Sequence, residues 1–406
     1  MPLPHGLRAL HHADFRRFYA AQLAAQIGGW MQTVAQSWLV LQLTNSPFKL
    51  GLIATLQFSP VLLFSIVTGA VADRLPKRRL LVVTQTTLAC QALLLGALVA
   101  TGRAEYWHVA VLGLVLGFAN VFDQPARQSF VMELVGKQDV ASAVALNSAA
   151  FNAARIVGPA VAGVVIARVG VGPAFFVNSA GFVGVILALL RLEARGLPAS
   201  EARAPMLEDI GEGLRYARRT PRLLLAVGLV LIVSLCVFNF SVYVPLLART
   251  VLGLGAEGFG FLMASLGVGA VAGALTVGMR GSREPGLGQM FVSAMIAFAS
   301  LLGLAATRHV WMAVPLLFVT GYFGVMLMAS CNTSMQLRAP DALRGRVMSL
   351  YTWVSGGIFP IGAFIVGAIS QRWGVSAAFL WNGILGLAVL TAIMLWWRLR
   401  HDRPRR

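Results

Sequence analysis

The chain has 406 residues, of which 58% are hydrophobic and only 12% are charged, and its mean hydropathy is +0.76. Soluble proteins carry about 25% charged residues, so the charges are too few to cover a water-soluble body of this size. The formal net charge of +18 would suit a nucleic-acid-binding protein, but the placement of the basic residues has another explanation.

Apolar residues are grouped into long runs, such as residues 223–238 and 384–397. A helix needs about 20 apolar residues to cross a hydrocarbon core of about 30 Å. The alternation that is typical of outer-membrane barrel strands is absent. The sequence therefore predicts an all-α membrane protein with twelve transmembrane helices. They are expected to begin near Phe15, Phe48, Leu80, Tyr106, Ala141, Pro173, Arg222, Gly258, Gly286, Val310, Val347 and Val375.

The basic residues divide unevenly between the loops that twelve helices imply. If both termini are cytoplasmic, each outside loop holds one basic residue, one more lies inside a span, and the rest of the 33 lie in inside segments. Excess positive charge on the cytoplasmic side orients membrane helices at insertion. We therefore expect a multi-pass protein of the cytoplasmic (inner) membrane with both termini cytoplasmic, and no nucleic-acid partner. The outside basic residues are Lys49, Arg103, Arg168, Arg249, Arg308 and Arg372.

The chain has two similar halves on either side of a polar, proline-containing stretch. At an offset of 204 residues, eight identities occur within residues 158–178, among them Gly158, Gly163 and Asn178. Parallel six-helix repeats are one way in which transporters are built. We expect a six-helix bundle in residues 1–192, a cytoplasmic linker in 193–221 and a second, pseudo-symmetric six-helix bundle in 222–406.

The loop after the second predicted span holds an acid and a basic run. Its order resembles the signature loop of the major facilitator superfamily, although Pro76 replaces the usual glycine. The resemblance implies that the loop helps to lock one conformation of alternating access, with Asp73 in that role; an ordinary orientation signal is the alternative. The matching residues are Gly69, Asp73, Arg74, Lys77, Arg78 and Arg79.

The fourth predicted span carries the carboxylate that lies deepest in any span, Asp123. Asn120, Gln124 and Arg127 share its helix face at 100° per residue. A charge inside a membrane is costly and is by default a functional candidate. Asp123 with Arg127 is expected to couple transport to protons, or else to form a structural pair at positions i and i+4. Residues 123–130 are also similar to the exporter branch called secretion effectors, which includes macrolide and siderophore exporters.

The fifth predicted span contains Gly158, Pro159 and Gly163, which permit close helix packing and a bend. This core is similar to the span-five signature of drug antiporters within the superfamily; helix packing alone is the alternative. Arg155 is the one basic residue wholly inside a span. It must face protein, water or an acid, and Asp123 is its nearest candidate partner by topology, so we expect Arg155 to tune the coupling site.

A polar stripe along the first predicted span faces the interior of the bundle, because a lipid-facing surface would be apolar. It is expected to line the substrate cavity, or else to form hydrogen bonds between helices. Other polar residues in the spans are further cavity candidates. The predicted substrate-binding residues are Gln22, Gln26, Thr33, Gln36, Asn120, Tyr322, Asn332 and Trp353.

These features predict a secondary exporter of amphiphilic or lipophilic small molecules, such as a drug or siderophore, by proton antiport through alternating access. We expect a monomer in the lipid bilayer, with a small-molecule substrate and protons as partners. No phosphate-binding loop, nucleophile–base group or metal-ligand spacing occurs, so an enzyme is disfavoured and no cofactor or metal is expected. A lysophospholipid or lipid flippase of the same fold, and a transport-inactive sensor or assembly subunit, remain open.

Overall fold

The described part of the chain is helical apart from short connections. The computed structural model describes residues 5–192, 206–279 and 284–401, and these ranges contain no strand. The all-α prediction is therefore confirmed. A short 3₁₀ helix (His5–His11) is followed by α1 (Ala13–Thr44), α2 (Pro47–Arg74), α3 (Lys77–Ala100), α4 (Tyr106–Val169), α5 (Gly172–Arg191), α6 (Met206–Arg219), α7 (Pro221–Cys236), α8 (Phe240–Leu246), α9 (Ala256–Gly278), α10 (Leu287–Ala306), α11 (Val310–Arg338), α12 (Asp341–Gly357), α13 (Phe359–Trp373) and α14 (Val375–His401).

Eleven helical stretches in the described ranges are long and apolar enough to cross a membrane. The sequence predicts twelve, and the difference is α1. This helix has 32 residues, which is long enough to span, but glutamines along its length lower its hydropathy. The first predicted span is thus present as a helix that is more polar than the others.

Helix α4 consists of two membrane-spanning helices, Tyr106–Gly136 and Gln138–Val169, which meet at a single residue. Gly136 has φ 68° and ψ 170°, a combination that a residue with a Cβ rarely adopts. A glycine at this position lets the chain leave one helix and start the next without a loop.

A composite span, Pro221–Val251, contains α7, α8 and a π-helical turn (Leu247–Val251). Helix α7 ends at Cys236, and the Asn239 amide then donates a hydrogen bond to the carbonyl of Leu235 at 2.7 Å. This bond satisfies one of the carbonyl groups that the break leaves without a helical partner.

Residue contacts divide the chain into two units. One holds α1, most of α2, α3 to α5 and the first turns of α9. The other holds the start of α2, α6 to α8, the rest of α9 and α10 to α14. The domain boundaries that the sequence suggests, at residues 192 and 222, stay a prediction.

The first unit is built around phenylalanines of α1 and α4. Phe15, Phe18 and Phe130 are each 2% exposed or less, and the rings of Phe18 and Phe130 meet edge to face with centroids 5.8 Å apart. Leu189 of α5 belongs to the same cluster. Inside a bilayer, such packing holds helices together without help from water.

The second unit contains a short helix within the segment that the sequence analysis assigns to the linker. This helix, α6, packs on α12, and Glu212 forms an ion pair with Arg346. A Cβ on Gly213 would lie 2.6 Å from the carbonyl oxygen of Arg346. The glycine therefore permits the backbones of α6 and α12 to approach closely.

Two glycines that the internal repeat aligns have the same role in their own units. A Cβ on Gly158 would lie 2.5 Å from Cβ of Trp30, and a Cβ on Gly362 would lie 2.5 Å from the carbonyl oxygen of Leu235. Glycine is required at both positions because the neighbouring helix, α1 or α7, fills the space of a side chain. Close packing at glycines is typical of membrane helices.

Candidate functional site

Asp123 lies at the centre of a polar cluster between α3 and α4. Its side chain is 2% exposed. The Thr84 hydroxyl and the Gln85 amide each donate a hydrogen bond of 2.8 Å to Oδ1 of Asp123. Nε of Arg127 lies 3.3 Å from Oδ2. Both carboxylate oxygens therefore have partners, and the predicted Asp123–Arg127 pair is present.

Arg127 is partly exposed, at 22% of its side chain, whereas Asp123 is enclosed. An unpaired carboxylate at mid-membrane would cost about 2.5–3.5 kcal/mol. Three donors offset that cost, and one of them carries the opposite charge. The arrangement can therefore hold a carboxylate inside the unit.

The helix face predicted for Asp123 is only partly observed. Asp123 points into the unit, whereas Asn120 and Gln124 are exposed. Thr84 and Gln85 belong to the site, and the sequence analysis missed them. The signal for them is weak: they are adjacent polar residues within an apolar helix, and only the packing of α3 on α4 brings them to Asp123.

A second polar cluster joins α1, α3 and α5. The Gln32 amide donates to Oε1 of Gln91 at 3.1 Å, and the Asn178 amide donates to Oε1 of Gln32 at 2.7 Å. All three side chains are at most 2% exposed. Sequence reasoning aligned Asn178 with Asn382 but did not single out Gln32 or Gln91, which lie off the predicted stripe.

The predicted stripe on α1 has mixed surroundings. The Gln36 amide donates to Oε1 of Gln57 at 2.9 Å, and Thr33 donates to the Gly29 carbonyl of its own helix. Oε1 of Gln22 and Oε1 of Gln26 are buried and have no hydrogen-bond partner among the described residues. Gln36 thus serves helix packing, while Gln22 and Gln26 keep unused acceptors.

Arg155 does not pair with Asp123, contrary to the topological expectation. Its guanidinium lies over the ring of Trp30, 6.0 Å from the centroid, and no described carboxylate lies within the 4.0 Å of an ion pair. The sequence could not show which helix Arg155 faces, since that depends on how α4 rotates against α1.

The candidates in the second half are separate from one another. The hydroxyl of Tyr322 is 2.9 Å from that of Thr276. Asn332 accepts a hydrogen bond from the Gln336 amide. Nε1 of Trp353 is buried without a hydrogen-bond partner in the described ranges. No contact that we observe joins these residues to one another.

The basic loop is only partly described. The surroundings of Gly69 and the side chains of Asp73 and Arg74 lie outside what the structure describes. Lys77 is 6% exposed and forms an ion pair with Glu133. Two further basic residues follow in the sequence: Arg78 donates to the Leu190 carbonyl at 2.7 Å, and Arg79 is exposed.

An ion-pair cluster that the sequence analysis missed surrounds Glu284. Nη2 of Arg338 lies 2.9 Å from Oε2 of Glu284, and the Ser334 hydroxyl donates to Oε1 at 3.2 Å. Nη1 of Arg222 lies 3.9 Å from Oε1. Burial raises the pKa of the Glu284 carboxyl, but Arg338, Ser334 and Arg222 together lower it more, so the pKa lies below its ordinary value.

The described residues hold no group of three or more metal-ligating side chains that could bind a metal ion. Three cysteines are free: Cys90 is exposed, while Cys236 and Cys331 are buried.

Comparison with known proteins identifies the family. The profile of the transmembrane secretion effectors matches residues 5–404. The chain belongs to this family. Its relatives within the major facilitator superfamily are transporters rather than enzymes, and they export small molecules.

Three curated relatives of this secretion effector span nearly its whole length. The multidrug efflux pump Tap of Mycolicibacterium fortuitum is 29% identical over 380 residues, which cover 89% of this chain and 90% of the relative. The enterobactin exporter EntS of Escherichia coli is 27% identical, covering 97% and 94%. The staphyloferrin A transporter of Staphylococcus aureus is 23% identical, covering 94% of each.

Solved structures confirm the fold of this secretion effector. The nucleoside transporter NupG superposes with a TM-score of 0.76 at 12% identity, covering 94% of this chain and 99% of NupG. A bacterial homologue of the lysosomal transporter Spinster gives a TM-score of 0.68 at 14% identity, covering 94% and 91%. The protein is therefore a multi-pass membrane transporter with the major facilitator fold.

Proposed function

We propose that the protein exports an amphiphilic or lipophilic small molecule by proton antiport through alternating access. We place it in the cytoplasmic membrane as a monomer with both termini cytoplasmic. Relatives named as an efflux pump and siderophore exporters support the export direction, and the charge pattern of the loops supports the orientation.

The observation that carries the proton step is the surroundings of Asp123. The Asp123 carboxylate is enclosed within a membrane span, paired with Arg127 and bonded to two neutral donors. If Arg127 approaches Asp123 in one conformation and leaves it in the other, the carboxyl releases a proton in the first and binds one in the second.

The basic loop is the proposed gate. Lys77 is enclosed and paired with Glu133, so the start of α3 is fixed to the end of the span Tyr106–Gly136. Asp73 lies four residues before Lys77 in the sequence. A conformational change of the basic loop would therefore act on α3 and the span Tyr106–Gly136, which together hold Asp123. Gly158, Pro159 and Gly163 keep the span that follows closely packed.

Transport assays test the proposal. A thermal-shift screen of antibiotics, siderophores and lysolipids selects a substrate, whose flux is then measured in proteoliposomes under an imposed pH gradient. We expect Asp123→Asn to abolish accumulation against a gradient while counterflow exchange stays within about twofold of wild type. Asp14→Asn, the same change at a carboxylate near the start of α1, is the matched control and should transport normally.

Two outcomes would contradict the proposal. Undiminished pH-driven accumulation in Asp123→Asn would make Asp123 a structural partner of Arg127 alone, and Glu133 would be the next carboxylate to test. Wild-type protein that binds substrate without any flux would indicate a sensor or assembly subunit.

A further inference from the structure

Arg155 is a charged residue near the middle of a membrane span. It lies in the span Gln138–Val169, at about 20 Å or more from either end at 1.5 Å per residue. A charged side chain near a helix end can extend to the aqueous interface, but one at this depth cannot reach it. The guanidinium must therefore be neutralised or hydrated inside the bundle.

Protein groups neutralise Arg155 only in part. The described residues give it no carboxylate partner, and none of its N–H groups donates a hydrogen bond to them. Trp30 offers the negative face of its ring at 6.0 Å, which attracts a cation but accepts none of the in-plane N–H groups. A guanidinium has five such donors in a planar fork that suits a carboxylate or another oxyanion.

The described side chains do not fully enclose the guanidinium, which leaves space beside it. Arg155 and Trp30 are both half-buried, and Phe151 is 48% exposed. Lipid tails next to a charge would be as costly as burial without a partner, so this space is expected to hold water or a ligand. Oε1 of Gln26, one turn before Trp30 on α1, is a buried acceptor without a partner.

The apolar side of this space is aromatic and fixed in place. The rings of Trp30 and Phe151 meet edge to face with centroids 5.9 Å apart. Gly158, one turn after Arg155, packs so closely on α1 that a Cβ at this position would lie 2.5 Å from Cβ of Trp30. The indole is therefore positioned by backbone packing and presents a rigid surface beside the charge.

We propose that Arg155 and Trp30 form a substrate-binding site for an anionic, aromatic amphiphile. Its carboxylate or other oxyanion accepts hydrogen bonds from the Arg155 guanidinium, and its flat apolar part lies against Trp30 and Phe151. The inference rests on the proposed function, since it names the class of molecule that the exporter carries. It makes Arg155 a ligand-binding residue instead of a tuner of Asp123.

Equilibrium binding tests the site without any need for flux. Full-length protein in lipid nanodiscs is titrated with naphthylacetate and with its neutral amide, naphthylacetamide, by calorimetry against empty nanodiscs. Wild type should bind the carboxylate about tenfold more tightly than the amide. Arg155→Gln should bring the two affinities to within twofold of each other, and Arg155→Lys should keep part of the preference because it retains the charge but not the fork. Arg168→Gln, an exposed arginine at the end of the same span, should keep the full preference.

Three results would overturn the site: no binding of either compound to wild type, equal binding of both, or a preference that survives in Arg155→Gln. If Arg155→Gln cannot be purified in folded form, Trp30→Leu is decisive. This substitution should lower the affinity for both compounds about tenfold while preserving the ratio of the two affinities, and unchanged affinities would contradict the proposal. A lack of pH-driven flux with the preference intact would count against antiport only, so the two proposals fail separately.

Discussion

The two halves of the chain share helices and glycines but not the charged residues in the middle of their spans. The span Tyr106–Gly136 and helix α11 (Val310–Arg338) begin 204 residues apart, and Gly158 and Gly362 each admit a neighbouring helix at close range. At the same offset, Leu327 stands where Asp123 does, and Phe359 stands where Arg155 does. The repeat thus preserves the packing, while Asp123 and Arg155 have no charged counterparts in the second half.

A related contrast occurs at the ends of the corresponding helices. In the first half, basic Lys77 at the start of α3 pairs with acidic Glu133 near the end of the next span. In the second half, acidic Glu284 before α10 pairs with basic Arg338 at the end of α11. The pairing is retained while its polarity is reversed. An ion pair between these helix ends therefore needs opposite charges, but either end can carry the positive one.

The largest expected effect comes from making the first half resemble the second. Arg127→Met should cost about 3 kcal/mol of stability, because it removes one partner of a buried ion pair. Adding Asp123→Leu, the residue that the second half has at this position, should restore at least half of that loss. Apparent unfolding temperatures in detergent would measure both. A double variant as unstable as Arg127→Met would show that the buried charge is not the source of the cost.

The shared glycines should respond alike. Gly158→Ala and Gly362→Ala should each cost about 2 kcal/mol, since the added methyl group would overlap the neighbouring helix. Gly184→Ala, on α5, meets nothing within 4 Å of the new Cβ and should be neutral or slightly stabilising. The same unfolding measurement applies. A loss at only one of the two aligned glycines would break the parallel between the halves.

Two glutamines at the repeat offset donate hydrogen bonds to acceptors of different charge. Gln85 donates to the Asp123 carboxylate, whereas Gln289 donates to the Ser330 hydroxyl at 3.1 Å. Hydrogen bonds to charged groups contribute about 1.5–3 kcal/mol and neutral ones about 0.5–1.5 kcal/mol. Gln85→Met should therefore destabilise the protein more than Gln289→Met in thermal unfolding, and equal losses would contradict a stronger hydrogen bond at Asp123.

The smallest effect concerns pH and Glu284. The pKa of this carboxyl is lower in the folded protein than its ordinary value of 4.5. Its contribution to the free energy of unfolding is therefore present above pH 4.5 and is lost as pH falls through the folded-state pKa. The side chain is 34% exposed, so Glu284→Gln should cost about 1 kcal/mol or less at pH 7. The difference from wild type should shrink below pH 4. Glu257→Gln, at an exposed glutamate, is the control, and a pH-independent difference would contradict the ionic explanation.

Much of this architecture could be predicted from the sequence because it depends on one helix at a time. Apolar runs give the spans, and the spacing of Asp123 and Arg127 gives their pairing. Partners on other helices could not be predicted in the same way. The bonds from Thr84 and Gln85 to Asp123 and the contact of Arg155 with Trp30 depend on the rotation of packed helices, which the spacing along one chain segment does not determine.

The junction at Gly136 has a consequence for how the protein assembles. Two membrane-spanning helices that are joined by one non-helical residue have almost no loop entropy to lose when they come together. Insertion of the first of them therefore brings the second to the same place in the bilayer, so Asp123 and Arg155 enter the membrane on one helical pair. An insertion of extra residues at this junction would lengthen a connection that has no slack.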